Sequence, residues 1–309
     1  EREALEQWTA IASDTQAFKG VYEHAIESSN PTEARNIRNM LAWFETFDTM
    51  EWDRARSYMR ADYIQHAAVI QTGRDELIDL LECCWPPGSG NTGSPAVMNM
   101  THGTYRIIAD GDYVAAQRVR MMGPPGQERP TMGLDIIRFD DRGQSAEHWD
   151  LFTPGIFETA SGRQVYDDAA EFSEPQLTND ATESFNKSLV YDFLNTAFGK
   201  KEYRRAAVEY LGDAYYQHNP NVPDGADAFV DFFESGALSI VYDVHLMLAQ
   251  NDMVAVYATQ WHKPADADDW ALMAALDLFR VRNSKIVEHW DFIGPVTPPE
   301  NFVHINGDF

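Results

Sequence analysis

Apolar residues recur at helical spacing at the start of two long stretches of the chain. Spacings of three and four residues place such side chains on one face of an α-helix. Each stretch is therefore predicted to begin with an amphipathic helix. The apolar positions are Met40, Leu41, Trp43, Phe44 and Phe47 in the first stretch, and Phe185, Leu189, Val190, Phe193, Leu194 and Ala197 in the second.

After these helices the pattern changes, in the same order both times, to short apolar runs separated by turns. Gly73 and Gly225 each open a further amphipathic run, which predicts a short helix. Next, each stretch has two apolar runs on either side of a turn, which is ADGD in the first stretch and AQND in the second. The runs LDIIRF and LDLFRV follow, one in each stretch, and this pattern is typical of β-hairpins. Helices followed by an antiparallel meander predict an α+β fold.

The two stretches are copies of one another. The sequence YMRADYIQH at 58–66 aligns with YLGDAYYQH at 210–218, and the tetrapeptide EHWD stands at 147–150 and again at 288–291. Similarity over such a length indicates a duplicated domain rather than a short solenoid repeat. We predict a helical N-terminal extension at 1–35, a first domain at 36–154, a linker at 155–180 and a second domain at 181–309.

Composition excludes several classes of function. The 309 residues include 49 acidic and 24 basic side chains, giving a formal net charge of -25. Such a surface repels nucleic acid and anionic membranes, so neither is expected as a partner. Metal-binding cysteine motifs and phosphate-binding glycine loops do not occur in the sequence, so no cofactor is expected. The two cysteines do not have the spacing of a secreted disulfide framework, which favours a cytoplasmic location.

Asp277 is an unusual polar position, since it lies in the middle of the apolar run ALMAALDLFRV. Strand alternation places it on one face with Ala275 and Phe279. A carboxylate in apolar surroundings loses water, which suits a general base. Asp135 repeats this placement in the first copy. A structural aspartate, bound to the nearby arginine or to backbone groups, is the alternative.

Alternation also divides the EHWD tetrapeptide between two faces. His289 and Asp291 share one face of the last strand, while Glu288 and Trp290 share the other. At most two of the four residues can therefore face one pocket. The same holds for the tetrapeptide at 147–150. A tryptophan that fills the core and a histidine that is satisfied by hydrogen bonds are the structural alternatives.

The histidine of each QH pair is a further candidate. His218 precedes the loop NPNVPDG, and loops held by a rigid scaffold often carry function. We expect this histidine, and His66 in the first copy, to complete a site with the strand aspartate. A histidine that caps the turn is the alternative. Two histidines and one carboxylate could also hold a metal, the sets being His218, His289 and Asp277, or His66, His148 and Asp135.

The second copy resembles the polyketide-cyclase-like, or SnoaL-like, members of the NTF2-like superfamily. The resemblance rests on YYQHNPNVPDGADAFVDFF, LDLFRV and KIVEHWDFIG, which occur in the right order. The first copy is similar but lacks the Asn-Pro pair after its histidine. The resemblance implies α+β cone domains, each with helices packed in a curved antiparallel sheet around an apolar pocket. It also implies dimerisation through the sheet, which two fused copies would form as an internal pseudo-dimer; a homo-oligomer is the alternative.

The resemblance further implies acid/base chemistry by pocket aspartates and histidines, without a cofactor. We therefore expect an enzyme that acts on a hydrophobic cyclic or aromatic small molecule, as an aldol or retro-aldol cyclase or lyase, an isomerase or a dehydratase. A non-catalytic binding protein for an apolar molecule, or a scaffold, is the alternative, and the residues do not choose between the two copies. The expected catalytic residues are Asp277, His218, His289, Asp135, His66 and His148, with Trp290, Trp149, Tyr216 and Tyr63 lining the pocket.

Overall fold

The chain divides into two compact units, which are described separately. The first unit comprises Glu1–Gly155 together with Thr297–Phe309, and the second comprises Ile156–Val296. The region predicted as a linker from 156 onward thus belongs to the second unit, and the end of the predicted second domain belongs to the first. The computed structural model describes residues 23–84, 102–122, 129–154, 159–163, 165, 169–172 and 174–307.

The N-terminal extension is described only in part. A helix, α1, spans Glu23–Ser28, whereas the part of the predicted helical extension before residue 23 lies outside the described residues. The first copy then follows the predicted order of helices and strands. Its elements are α2 (Pro31–Thr49), α3 (Trp52–Ser57), β1 (Met59–Gln65), α4 (Arg74–Cys84), β2 (His102–Asp110), β3 (Tyr113–Met122), β4 (Arg129–Phe139) and β5 (Ser145–Pro154).

The second copy repeats this order. A short 3₁₀ turn at Ala170–Phe172 precedes it, a π-helical turn at Asn195–Gly199 ends its first helix, and a second 3₁₀ turn at Pro299–Asn301 follows it. Its elements are α5 (Asp180–Leu194), α6 (Tyr203–Tyr210), β6 (Leu211–Gln217), α7 (Ala226–Glu234), β7 (Leu238–Gln250), β8 (Met253–Pro264), β9 (Ala271–Arg282) and β10 (Lys285–Pro295).

Each copy forms one five-stranded mixed sheet with its helices, an α+β arrangement. The strand orders are β1-β5-β4-β3-β2 and β6-β10-β9-β8-β7. Strands β2 to β5 and β7 to β10 form the predicted antiparallel meanders. The first strand of each copy, β1 or β6, was not predicted, and it pairs in parallel with the last strand. This pairing places the QH sequence beside the EHWD tetrapeptide, with Gln217 opposite His289.

The helices bury their apolar faces against one face of each sheet. Phe193, Phe198 and Phe229 form the aromatic centre of the second core, and Trp43 has the matching role in the first. Gly225 and Gly73 open the third helix of each copy at φ of 101° and 106°, a conformation that side-chain-bearing residues rarely adopt. None of the helices in the described part of the chain is long and apolar enough to cross a membrane.

The segments that follow β5 and β10 occupy matching positions. The Ala160 N–H donates to the carbonyl of Pro220 at 3.0 Å in the second unit, and the Val303 N–H donates to that of Ala68 at 3.0 Å in the first. Pro220 and Ala68 each lie two residues after the QH histidine. The last strand of each copy therefore leads into a segment that packs on the QH loop of the other copy. We call these two segments the exchanged segments.

Candidate functional site

Asp277, His289 and Asp291 lie together on the helix-covered face of the second sheet, and we call them the second site. Asp277 in β9 is directly opposite Asp291 in β10. The Nε2 of His289 is 3.0 Å from Oδ1 of Asp277, whose residue is only 2% exposed. His289 and Asp291 share one face of β10, as predicted, and the structure shows that it is the face of Asp277, with Glu288 turned to the other side.

Tyr242 of β7 supplies a second contact to Asp277. Its hydroxyl donates to Oδ2 of the carboxylate. Burial raises the pKa of Tyr242 well above its usual value, and the charge of Asp277 raises it further. The phenol thus keeps its proton and remains a donor. With His289 on one oxygen and Tyr242 on the other, the carboxyl group of Asp277 is held in a fixed orientation.

Gln217, rather than His218, links β6 to the second site. Its Oε1 is 3.2 Å from Nδ1 of His289, and its Nε2 donates to the hydroxyl of Tyr215 at 2.8 Å. The pKa of Tyr215 is raised well above its usual value by burial and by the nearby carboxylates. The imidazole of His289 is therefore held between a carboxylate and an amide, and its ring stacks on Phe279 at 4.5 Å.

Asp291 is the group in the second site whose titration is displaced. Burial raises the pKa of its carboxyl group, and the charge of Asp277 adds to the rise, while His289 and Asn219 act in the opposite direction. The residue is partly exposed as a whole, yet its carboxyl group is enclosed by protein. The Nδ2 of Asn219 donates to Oδ2 of Asp291 at 2.6 Å.

The first copy repeats the arrangement with Asp135, His148 and Asp150, the first site. Nε2 of His148 is 2.9 Å from Oδ1 of Asp135, which is fully buried. The difference is a buried arginine: Nη1 of Arg118 lies 3.4 Å from Oδ2 of Asp135. The guanidinium also stacks over the ring of Phe44, at 3.6 Å from its centroid.

Gln65 fixes the orientation of the histidine in the first site. Its Oε1 accepts the backbone N–H groups of His66 and Ala67, at 2.9 and 3.0 Å. Its Nε2 therefore faces Nδ1 of His148, which is 3.2 Å away. The other ring nitrogen of His148, Nε2, is left to face Oδ1 of Asp135.

The QH histidines are not part of either site, contrary to the expectation from the sequence. His218 Nε2 is 2.9 Å from Oε1 of Glu288, whose Oε2 accepts from Nε of Arg280 at 3.0 Å. The His218 ring stacks on Trp290 at 4.7 Å. The reason is alternation, since the residue after Gln217 faces the opposite side of the strand. Arg280, too, pairs with Glu288 rather than with its neighbour Asp277.

The first copy has the same outer network, with an exchanged segment added. Nε2 of His66 is 3.0 Å from Oε1 of Glu147, and Nε of Arg138 donates to the other carboxylate oxygen at 2.8 Å. The Nδ1 of His66 is 2.9 Å from the carbonyl of Gly307. Trp149 stacks on the His66 ring at 4.8 Å, so neither this tryptophan nor Trp290 is placed with the site aspartates.

Of the two tyrosines expected to line the pockets, only one lies near a site. Tyr63 stacks near His148, with ring centroids 6.4 Å apart. Tyr216 instead contacts Arg163 and Phe172, and the counterpart of Tyr63 is Tyr215. The sequence contains the signal for this difference, because alternation along YYQH separates Tyr215 and Gln217 from their neighbours. Tyr242 and Asn219 have no such signal.

The sets of two histidines and one carboxylate are not brought together, because His218 and His66 bond to glutamates on the other face. Each site instead offers two carboxylates and one imidazole, with one ligand atom from each residue within 4.8 Å of the others. Oxygen and imidazole ligands of this kind suit a divalent cation. Arg118 beside Asp135 opposes a cation in the first site, whereas Ala258 stands at the corresponding register position in the second.

A surface groove of about 780 Å³ also lies in the second unit, lined by residues of α6, β6, α7 and the β9–β10 turn. Arg204, Asp213 and Lys285 are among its lining residues. Asp277, His289 and Asp291 are not. The groove is therefore separate from the candidate site.

Several solved structures are similar to part of the chain, whereas no curated protein matches it. The match to an LEH-like epoxide hydrolase from M. tuberculosis has 17% sequence identity and a TM-score of 0.34, and it covers 40% of this chain and 86% of the hydrolase chain. An NTF2-like protein from Burkholderia xenovorans has 17% identity, with coverages of 36% and 91% and a TM-score of 0.32. A candidate ketosteroid isomerase from Kribbella flavida has 16% identity, with coverages of 45% and 91% and a TM-score of 0.32.

A family model covers both copies. The model described as the SnoaL-like domain matches residues 40–148 and again residues 190–289. These two segments span more than half of the chain. They include Asp135 and His148 of the first site, and Asp277 and His289 of the second. The chain therefore belongs to the SnoaL-like domain family, with one family domain in each copy.

Proposed function

We propose that the second copy is an acid/base enzyme that acts on a hydrophobic cyclic or aromatic small molecule. The observation that carries this proposal is the pair of carboxyl groups of Asp277 and Asp291, directly opposite each other on neighbouring strands. Their environments differ, since donors contact both oxygens of Asp277, whereas burial raises the pKa of Asp291. Two carboxyl groups whose environments favour different protonation states can act as base and acid.

In this proposal Asp277 accepts a proton from a carbon next to a carbonyl group, or from a nucleophilic hydroxyl. Asp291 donates a proton to the oxygen that gains negative charge. His289, which contacts Asp277, relays or stabilises the proton that Asp277 has accepted. This division of roles serves isomerisation, dehydration and aldol-type bond making or breaking alike.

The surroundings of the second site support an apolar substrate. Val256 is opposite Asp277 on the neighbouring strand, and Ala258 and Ala275 pair with each other two residues away. Phe198 stacks on the ring of Tyr242 at 5.4 Å. Small and aromatic side chains beside a few fixed polar groups are typical of sites for apolar ligands.

The test uses two probes, solvent-deuterium exchange at the α-carbon of 2-tetralone and hydrolysis of styrene oxide. We expect turnover of at least one probe, and a loss of about 100-fold or more on Asp277→Asn or Asp291→Asn, the range for removal of a general acid or base. Binding of the probe should persist in both variants. Binding without turnover in the unaltered protein would instead support the alternative, a non-catalytic binding protein.

A metal would change the proposal. The same protein should be measured by elemental analysis, and probe turnover should be compared before and after treatment with a chelator. A stoichiometric divalent ion, together with loss of turnover on chelation, would replace direct acid/base chemistry with metal-assisted chemistry at these three residues.

A further inference from the structure

The loop NPNVPDG begins with Asn219, whose amide has only one possible orientation. Its Oδ1 accepts the N–H groups of Asn221 and Val222, at 2.7 and 3.1 Å. Because a carbonyl oxygen accepts and an amide nitrogen donates, Nδ2 must be the atom that faces the site. The 2.6 Å contact from Nδ2 to Oδ2 of Asp291 is therefore a donated hydrogen bond.

This contact restricts where Asp291 can carry a proton. Since Oδ2 accepts from Asn219, a protonated Asp291 carries its hydrogen on Oδ1. The amide also opposes part of the rise in the pKa of this carboxyl group, because a donated hydrogen bond stabilises the charged form. Asn219 thus acts on both the position and the availability of the proton.

The loop is held from its other side by an exchanged segment. Ala160 donates its N–H to the carbonyl of Pro220 at 3.0 Å, and the hydroxyl of Ser161 donates to the carbonyl of Gln217 at 2.7 Å. Asp224 accepts the Gln217 N–H at 2.8 Å and is paired with Arg163 at 2.9 Å. These contacts hold the loop in place, and Asn219 with it.

We propose that Asn219 is a positioning residue that binds Oδ2 of Asp291 and so leaves Oδ1 as the oxygen that carries its proton. The catalytic part of this inference rests on the proposed function, whereas the effect on Asp291 does not. The first copy has Ala67 at the corresponding position. An amide donor that positions the proton of the second aspartate is therefore proposed for the second copy and not for the first.

The experiment follows the titration of Asp291 by NMR in protein labelled with ¹³C at the aspartate carboxyl carbons, with Asp291→Asn used for assignment. Asn219→Ala removes the donor and should shift the pKa of Asp291 upward. Asn219→Asp keeps an oxygen for the loop turn but places a second carboxylate beside Asp291, and should shift it further upward. Asn221→Ala, an exposed change in the same loop, is the matched control and should leave the titration unchanged.

A purely structural role would give a different order. If Asn219 only holds the loop turn, the pKa of Asp291 in Asn219→Ala should equal that of the unaltered protein, and this result would overturn the inference. With a probe that is turned over, the pH limb of kcat that depends on the acid should shift in the same order, with little change in KM. If no probe is turned over but the titration shifts, the proposed function fails while the positioning role stands.

Discussion

The two sites share an aspartate, a histidine and a second aspartate, but differ in what contacts the first aspartate. In the first site the buried Arg118 lies beside Asp135. In the second site Ala258 stands at the register position of that arginine, and Tyr242 donates to Asp277. The first aspartate is thus held by a charged partner in one copy and by a phenol in the other. The two copies therefore keep the same aspartate and histidine while the charge around them differs.

Loss of the arginine should have the largest effect on stability. Arg118→Met leaves the carboxylate of Asp135 buried beside a neutral side chain, and removing one partner of a buried ion pair costs about 3–5 kcal/mol. Urea unfolding should show this decrease in the free energy of unfolding. The double variant Arg118→Met/Asp135→Asn should recover part of the loss, since it removes the uncompensated charge. A loss below about 1 kcal/mol in the single variant would show that the ion pair does not distinguish the sites.

Loss of the phenol should have a smaller effect. Tyr242→Phe removes one hydrogen bond to Asp277 without changing the packing of the ring, and the expected cost is about 1–3 kcal/mol. The same urea measurement applies, with Tyr191→Phe, a change at a half-exposed helix position, as control. A cost equal to that of Arg118→Met would contradict the contrast between the two sites.

The raised pKa of Asp291 predicts a pH-dependent difference in stability. In the unfolded chain this aspartate ionises at its ordinary, lower pKa, so the folded state loses relative stability as pH rises from that value to the raised one. Asp291→Asn removes this penalty. The free energy of unfolding of the variant should therefore gain on that of the unaltered protein as pH rises above about 4, the ordinary range of an aspartate. Asp141→Asn, an exposed turn residue, should show no such trend, and a flat difference for Asp291→Asn would refute the prediction.

The smallest effect is expected where an exchanged segment meets His66. Its Nδ1 is 2.9 Å from the carbonyl of Gly307, and its Nε2 is 3.0 Å from Oε1 of Glu147. His304 of the segment adds a second contact, since its Nε2 is 3.1 Å from the carbonyl of Ala67. The ring of His66 is therefore one of the groups that hold this segment.

His66→Ala removes both ring contacts, so hydrogen exchange in residues 297–307 should quicken relative to the unaltered protein. Val69→Ala changes an exposed side chain of the same loop, and as the matched control it should leave the exchange unchanged. Equal exchange in the unaltered protein and in His66→Ala would show that His66 does not hold the segment.

Local patterns were enough to predict the duplication, the helices, the meanders and the division of EHWD between two faces. Period-two alternation correctly placed His289 and Asp291 on one face of the last strand, but it did not indicate that Asp277 shares this face. The same rule, applied to YYQH, would have selected Gln217 and excluded His218, but β6 was not predicted as a strand. Tyr242 could not be inferred, since its contact with Asp277 depends on the curvature and register of β7 and β8. Arg118 is a similar case, because nothing in the sequence indicates that this arginine is buried beside Asp135.

The exchanged segments have a consequence for the genetics of the chain. Each QH loop is completed by residues encoded after the other copy, through contacts such as Ala160 with Pro220 and Val303 with Ala68. A gene fragment that encodes one copy alone would supply a sheet and its helices but not the exchanged segment that contacts the QH loop of that copy. The two halves are therefore not interchangeable modules, and recombination that separates them would leave both incomplete.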